Sequence, residues 1–226
     1  MIQLVIEGIW GGLYKICVWV MRITYLNILW ILFTLLGLCL FGFMPASIAL
    51  FTVIRKWLLQ DTDIPIFNTF FQSFKQDFLK TNLFALIILF IGAILYVDLQ
   101  YVGSIVESAF YAPLLGLLFL AGILYLLFIL YIGPVFVHYD LRFGQYIKYA
   151  IMIGITQLHF SLMMIVLLSA LYYLTMKFPG IFPFLSISCG GFIIMWSANM
   201  AFNALLRTKE KVAGTLKTSK EIKETS

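Results

Sequence analysis

Charged residues are scarce in this chain of 226 amino acids, where they occupy 11% of the positions. A soluble domain of ordinary composition carries roughly 25%. Hydrophobic residues make up 63% of the sequence, and the mean hydropathy is +1.03. A chain of this length has too little interior to bury so much apolar surface. The composition therefore excludes a water-soluble domain and predicts that a lipid bilayer solvates most of the excess.

Residues for covalent and metal chemistry are equally sparse. The three cysteines, Cys17, Cys39 and Cys189, lie far apart in apolar stretches, which excludes a C-x-x-C motif and predicts buried thiols. A serine nucleophile elbow, a phosphate loop and H-E-x-x-H are all missing. His138 and Asp140 are two potential metal ligands, but two ligands do not make a site. We therefore expect no enzyme activity and no catalytic, cofactor-binding or metal-binding residue.

Long apolar stretches, by contrast, are plentiful. Five of them reach the roughly 20 residues that a helix needs to cross a bilayer, at positions 23–44, 83–102, 111–137, 149–176 and 181–206. The predicted fold is an all-α transmembrane helix bundle of about five spans, followed by a basic, solvated tail over 207–226. The N-terminus has Glu7 before its first lysine and no small-x-small cleavage site, which argues against a removable signal peptide.

The distribution of lysine and arginine predicts the orientation in the cell membrane. Five crossings put the termini on opposite sides. Twelve cations then fall on the side of the C-terminus and three, Lys15, Arg22 and Lys177, on the other. By the positive-inside rule the C-terminus is cytoplasmic and the N-terminus extracellular.

Two segments outside the spans predict helices at the membrane surface. The first covers residues 1–20 and includes Gly8 and Gly12, a weak helix-packing signal. The second covers residues 45–80 and begins with a helix over Pro45–Leu59 that carries Arg55, Lys56 and Trp57 near its end. After it, aromatic residues recur with helical spacing and form one apolar stripe that would rest on lipid or a partner: Phe67, Phe70, Phe71, Phe74 and Phe78.

Polar residues inside the spans are the usual functional candidates, because an unpaired polar group in lipid is costly. Here they are Asn27, Gln157, His159, Asn199 and Asn203. Hydrogen bonds between helices are the first interpretation, and contacts to a transported solute are the alternative. Gln157 and His159 are two residues apart, so they lie on nearly opposite helix faces. Asp98 and Glu107 are expected in a solvated outer loop, with a cation or sugar site as the alternative.

Small residues form a stripe on the fifth span, opposite its asparagines. At 100° per residue, four of them share one face and suggest close packing of another helix, from this chain or from a partner protein: Ser186, Gly190, Ser197 and Ala201.

Several runs of the sequence resemble the YesL family of bacterial integral membrane proteins. They are Y-L-N-I-L-W-I-L-F-T-L-L-G-L at 25–38, F-G-F-M-P-A at 41–46, R-K-W at 55–57, F-L-K-T-N at 78–82 and V-H-Y-D-L-R-F at 137–143. The resemblance covers roughly Tyr14 to Arg207. The family is a domain of unknown function, often encoded beside carbohydrate ABC transporter components, so the resemblance implies a role in sugar uptake without assigning residues to it.

The sequence supports three hypotheses for function. The first is an accessory subunit that packs beside ABC permease subunits of a carbohydrate or oligosaccharide importer; the chain itself lacks the E-A-A coupling loop of a permease. The second is a small autonomous transporter or channel, lined by the intramembrane polar residues. The third is a purely structural or assembly protein of the membrane. The first two differ in whether those polar residues converge on a cavity open to water or are sealed between helices. No nucleic acid partner is expected.

Overall fold

The computed structural model describes the backbone of residues 2–104, 106, 110–178, 180 and 182–225. Side chains are described for 12–104, 106, 110–178, 180 and 184–208. In this part of the chain the fold is entirely helical, as predicted, with a π-helix at Phe182–Ser186. The α-helices are α1 (Ile2–Leu36), α2 (Leu40–Leu58), α3 (Ile66–Gln76), α4 (Phe78–Ser104), α5 (Tyr111–His138), α6 (Phe143–Thr156), α7 (Leu158–Lys177) and α8 (Ile187–Thr225).

Among the described residues, six helices are long and apolar enough to cross a membrane, one more than the five predicted. Their apolar stretches are Gly12–Leu36, Leu40–Leu58, Phe78–Ser104, Tyr111–His138, Leu158–Lys177 and Phe184–Thr208. Large apolar side chains cover their outer surfaces; Phe90 of α4 and Phe119 of α5 are 69% and 72% exposed. Such surfaces match a lipid environment, so the chain is a multi-pass membrane protein.

The first predicted span, 23–44, is interrupted in the structure by a tight turn at residues 37–39. Leu38 and Cys39 adopt positive φ values of 57° and 62°. Gly37 packs directly against Gly42, so the chain reverses where two glycines meet. A hydropathy pattern does not register this turn, because every residue around it is apolar. Cys39, which we expected to be buried, is exposed there, and the same correction applies to Cys17 of α1.

Helices α1 and α2 form an antiparallel hairpin from this turn. Trp30 contacts Phe43 near the turn, with ring centroids 5.5 Å apart, and Trp19 contacts Trp57 at the open end, also at 5.5 Å. Trp30 Nε1 donates a hydrogen bond to Ser47 Oγ at 3.1 Å. The N-terminal part of α1 therefore lies at the same end of the bundle as the C-terminus of α2, rather than at the opposite end as the five-span prediction required.

Helix α2 is the central helix of the bundle, which corrects its prediction as an interfacial helix. It packs against α1, α3, α4, α5 and α8. Of its apolar stretch, 56% is buried, compared with 6% for α4. Ala46 and Ala49 are completely buried and let neighbouring helices approach closely. Arg55 and Lys56 near its end favoured a position at the membrane surface, but the middle of the helix is buried among its neighbours.

The predicted fourth span, 149–176, is divided into α6 and α7 at Gln157. The Gln157 backbone leaves the helical region, with φ −116° and ψ 47°. Beside it, Ser161 Oγ lies 3.1 Å from the Gly154 carbonyl oxygen and 3.3 Å from that of Gln157. Such side-chain bonds to the backbone commonly bend helices.

Two terminal predictions fall partly outside the described residues. Helix α1 begins at Ile2 and continues into the first apolar stretch, so residues 1–20 do not form a separate helix; side chains before Gly12, including the region of Gly8, are not described. The tail over 207–226 continues α8 as far as Thr225, and its side chains after Thr208 are likewise outside the description.

Candidate functional site

Basic residues lie close to the ends of α2, α3 and α5 and to the beginnings of α4 and α6. We call this region the basic end of the bundle, defined by Arg55, Lys56, Lys75, Lys80, Arg142 and Lys148. The helices meet there through aromatic contacts. The Phe84 ring stacks on Phe143 at 4.3 Å, and both Phe84 and Phe136 contact Tyr146. The basic end is therefore a packed junction and not a set of independent loops.

A polar cleft of about 250 Å³ opens at the basic end between α2, α3 and α5. Helix α3 folds back over α2 and closes one side of it. The lining consists of two cations, one carboxylate, hydroxyl and amide groups, and an apolar floor: Arg55, Lys56, Asp77, Thr52, Thr69, Ser73, Gln72, Gln76, Ile48, Phe136 and Val137.

The hydrogen bonds of the cleft leave particular groups available. Thr52 Oγ1 donates to the Ile48 carbonyl at 2.9 Å and lies 3.0 Å from Ser73 Oγ. Because Thr52 has one hydroxyl proton, Ser73 is the donor in that pair. The remaining lone pairs of both hydroxyls can accept hydrogen bonds. Arg55 Nε is buried and makes no hydrogen bond within the described part of the chain.

Asp77 ends α3 at the edge of the cleft, where its backbone N–H donates to the Ser73 carbonyl at 3.2 Å. Burial raises the pKa of its carboxyl group above the ordinary value of 3.8. The nearby Lys80 ammonium acts in the opposite direction, and the Asp140 carboxylate adds to the increase. The cleft therefore holds a carboxyl group that takes up a proton more readily than one in water.

The predicted aromatic stripe of α3 is divided between the chain's own core and its surface. Phe70 and Phe74 pack around Phe33 of α1, with ring centroids 5.2 and 5.0 Å away, and Phe70 is completely buried. Phe67 and Phe71 stack on each other at 6.1 Å and remain 47% and 44% exposed. Only this second pair offers a substantial surface to lipid or a partner.

Two further residues of the predicted partner surface also pack inside the helix bundle of this chain. Trp57 is 4% exposed because it packs edge-on against Trp19. Phe78 is half-buried against Phe74, at 5.6 Å. Arg55 and Lys56 are half-buried and face the polar cleft instead.

The small-residue stripe of the fifth span packs inside this chain, so it is not available to a partner protein in this structure. Ser197 and Ala201 are completely buried, and Ser186 is 9% exposed. A Cβ on Gly190 would make ordinary contacts at 3.6 and 3.8 Å with leucines of α7. The stripe therefore allows α8 to approach its neighbours in the bundle.

The five intramembrane polar residues do not come together. Asn27 is completely buried, and its Oδ1 accepts a hydrogen bond from the Ser188 backbone N–H at 3.0 Å. Gln157 is 9% exposed at the junction of α6 and α7. His159 and Asn203 are on the outer surface, and Asn199 is half-buried.

An apolar cavity of about 370 Å³ lies among α1, α2, α4, α5 and α8. It is lined by side chains such as Trp30, Phe51 and Ile132, together with Gly133 and Gly191. None of the five intramembrane polar residues lines it. Of the two outer acidic residues, Asp98 is exposed within α4, and Glu107 lies outside the described residues.

Sequence reasoning missed most of the polar cleft. Gln72 and Gln76 lie off the aromatic stripe of α3, where exposure to water is the ordinary expectation, and Thr52 carries no sequence signal of a site. The amphipathic pattern of α3 does indicate a polar face, but it does not reveal that this face meets the last turn of α2. Only the packing of α3 against α2 brings these residues together with Arg55.

The helices and their exposed apolar surfaces define a multi-pass α-helical membrane protein. The family model "Protein of unknown function, DUF624" matches residues 23–99. YteU of Bacillus subtilis is 38% identical over 183 residues, covering 80% of this chain and 81% of YteU. YesV is 35% identical over 84% of this chain and 91% of its own length, and YesL is 34% identical over 72% and 76%.

This chain therefore belongs to the DUF624 family, which confirms the resemblance to YesL. The three relatives come from Bacillus subtilis strain 168, and each is described as an uncharacterized protein. No solved structure matches the chain.

Proposed function

We propose that this protein is a non-enzymatic accessory subunit that associates in the membrane with a carbohydrate or oligosaccharide ABC importer. One observation favours this proposal over a transporter: the positions of the intramembrane polar residues. A solute path through the bilayer needs polar groups that face a common cavity. Here Asn27 is sealed by Ser188, and His159 and Asn203 lie on the outer surface. The choice of partner rests on the family resemblance described above.

The partner surface of this proposal lies at the basic end. The stacked pair Phe67 and Phe71 is exposed there, and the cation Arg22 lines the same shallow groove as Phe67. Exposed aromatic side chains beside cations are typical anchors of protein interfaces. The other stripe residues, Phe70, Phe74 and Phe78, support this surface from inside.

In the proposed orientation the basic end faces the cytoplasm. Arg22 forms an ion pair with Asp63 at 3.4 Å, and Trp19 contacts Trp57, so the start of the first apolar stretch lies at the basic end too. The positive-inside rule then places both termini in the cytoplasm, with Lys177 on the opposite side. This replaces the extracellular N-terminus, which followed from counting five spans.

The test is purification of the tagged protein from its native membrane into nanodiscs, followed by mass spectrometry of the proteins recovered with it. We expect stoichiometric recovery of ABC permease subunits. A double variant, Phe67→Ser with Phe71→Ser, should lose them. Phe90→Ser is the matched control, because Phe90 is an exposed phenylalanine on α4, away from the basic end.

Recovery of the protein alone, under conditions that keep other complexes whole, would contradict the accessory role. Solute flux in liposomes would then test the transporter hypothesis, with Asn199→Leu and Asn203→Leu as the variants that should abolish transport. If the double variant and the control recover equal amounts of ABC permease subunits, the partner binds at a surface other than Phe67 and Phe71.

A further inference from the structure

The polar cleft has the composition of a binding site for an anion. Two cations, Arg55 and Lys56, line it together with a single carboxylate, Asp77. The Arg55 guanidinium carries a buried Nε donor without a hydrogen-bond partner among the described residues. Buried donors are nearly always satisfied in native structures, so an unsatisfied donor on an arginine that lines a cleft requires an explanation, and a bound anion is one. Arginine suits phosphate in particular, because its donors form a planar fork.

The remaining groups of the cleft favour an anion that also carries hydroxyl groups. Thr52 donates its hydroxyl proton to the Ile48 carbonyl and Ser73 donates its own to Thr52, so both hydroxyls offer their remaining lone pairs. The amides of Gln72 and Gln76 both donate and accept. An inorganic phosphate ion in water at neutral pH offers few donors to such acceptors, whereas the hydroxyl groups of a polyol supply them.

The size of the cleft limits the ligand. Its volume of about 250 Å³ is below the roughly 300–1,000 Å³ of sites for drug-sized ligands. A short polyol phosphate fits this space better than an oligosaccharide. The floor of Ile48, Phe136 and Val137 is apolar, which suits the carbon chain of such a ligand.

We propose that the polar cleft binds a phosphate group esterified to a short polyol, with Arg55 and Lys56 holding the phosphate and Thr52, Ser73 and the glutamine amides holding the hydroxyl groups. Two sources carry this chemistry: a soluble glycerol or sugar phosphate, and the headgroup of phosphatidylglycerol. The proposal is independent of the importer partner, since it rests on the cleft alone.

The first arm of the test is calorimetric titration of sn-glycerol 3-phosphate into the full chain in phosphatidylcholine nanodiscs. Arg55→Gln should weaken binding about tenfold or more, the loss expected when a hydrogen bond to a charged group is removed. Lys75→Gln is the matched control, because it makes the same charge change at an exposed position of α3 outside the cleft. Thr52→Val keeps the charge and should also weaken binding.

The second arm is native mass spectrometry of protein from nanodiscs that contain phosphatidylglycerol. Retained phosphatidylglycerol that is lost in Arg55→Gln but kept in Lys75→Gln would identify the lipid headgroup as the source. Binding in the first arm alone would identify a soluble ligand. If Arg55→Gln does not fold, Lys56→Gln replaces it in both arms. The absence of binding in both arms, or equal losses in Lys75→Gln, would overturn the proposal.

Discussion

Replacing Gly42 by alanine tests the hairpin of α1 and α2 most directly. A Cβ at this position would lie 2.5 Å from the Thr34 carbonyl oxygen and 2.7 Å from that of Phe33. Both atoms belong to the backbone of α1, so no side-chain rotation relieves the contact. The two helices must separate by about 0.9 Å to restore ordinary contact at 3.4 Å.

The expected change in the free energy of unfolding follows from two opposing effects. Overpacking of a close contact costs about 1–3 kcal/mol. Replacing glycine by alanine inside a helix stabilises by roughly 0.5–1 kcal/mol. We therefore expect Gly42→Ala to lower the free energy of unfolding by about 1 kcal/mol. Gly116→Ala and Gly122→Ala of α5 are matched controls, because a Cβ there meets nothing within 4 Å; these variants should be slightly stabilised.

The assay is unfolding of the purified variants in one detergent, followed by helical circular dichroism, with the free energy of unfolding compared among the three. A cross-link between cysteines at positions 30 and 43, which face each other across the hairpin, reports the separation independently. The reasoning is refuted if Gly42→Ala is as stable as the two controls while the cross-link still forms at the wild-type rate.

Three further results are expected. Burial raises the pKa of Asp77, so the folded state binds its proton more tightly than the unfolded state does. Asp77→Asn should therefore raise the free energy of unfolding at neutral pH, and this gain should disappear as the pH falls through the raised pKa. An equal gain at neutral pH and at a pH below the raised pKa would contradict this. In a cysteine-free background, Lys15→Cys should react with an impermeant maleimide only from the cytoplasmic side and Lys177→Cys only from outside. In a variant that keeps Cys39 as its single cysteine, this thiol should react from neither side. At 1.5 Å per residue the hairpin tip lies about 21 Å beyond Arg22, which is less than the roughly 30 Å thickness of the hydrocarbon core. Labelling of Cys39 from outside would show a full crossing.

The last of these results bears on how the hairpin sits in the bilayer. The sequence has no charged residue between Arg22 and Arg55. At the tip, Leu36, Leu38 and Leu40 are 69–79% exposed. Apolar side chains exposed to this extent are stable only in contact with lipid, so the tip is expected inside the hydrocarbon.

The predicted elements agree with the structure wherever local sequence carried enough information. The spans around α4 and α5 have long apolar runs with polar ends, and their observed bounds differ little from the predicted ones. The boundaries near Gly37 and Gln157 could not be predicted, because the chain reverses or bends there inside apolar sequence. Both interruptions depend on contacts with other helical turns, namely Gly42 with α1 and Ser161 with the Gly154 carbonyl.

The candidate site likewise contains some residues that the sequence could single out and others that only the packing of helices brings together. Arg55 and Lys56 could be singled out from sequence because cations beside an apolar stretch are conspicuous. Thr52, Ser73 and Gln76 could not, because hydroxyl and amide side chains occur on many helix faces. Their hydrogen bonds and shared cleft arise only when α3 folds back on α2.

By itself, the sequence determined that this protein is an all-helical membrane protein, because hydrophobic burial in a bilayer depends on composition and on the length of apolar runs, which are local properties. The tertiary structure alone decided which helices are central, which small residues face one another, and which polar groups are sealed or left at a cleft. Those outcomes depend on distances between residues far apart in the chain, such as Asn27 and Ser188, and a periodic pattern carries no information about its partner.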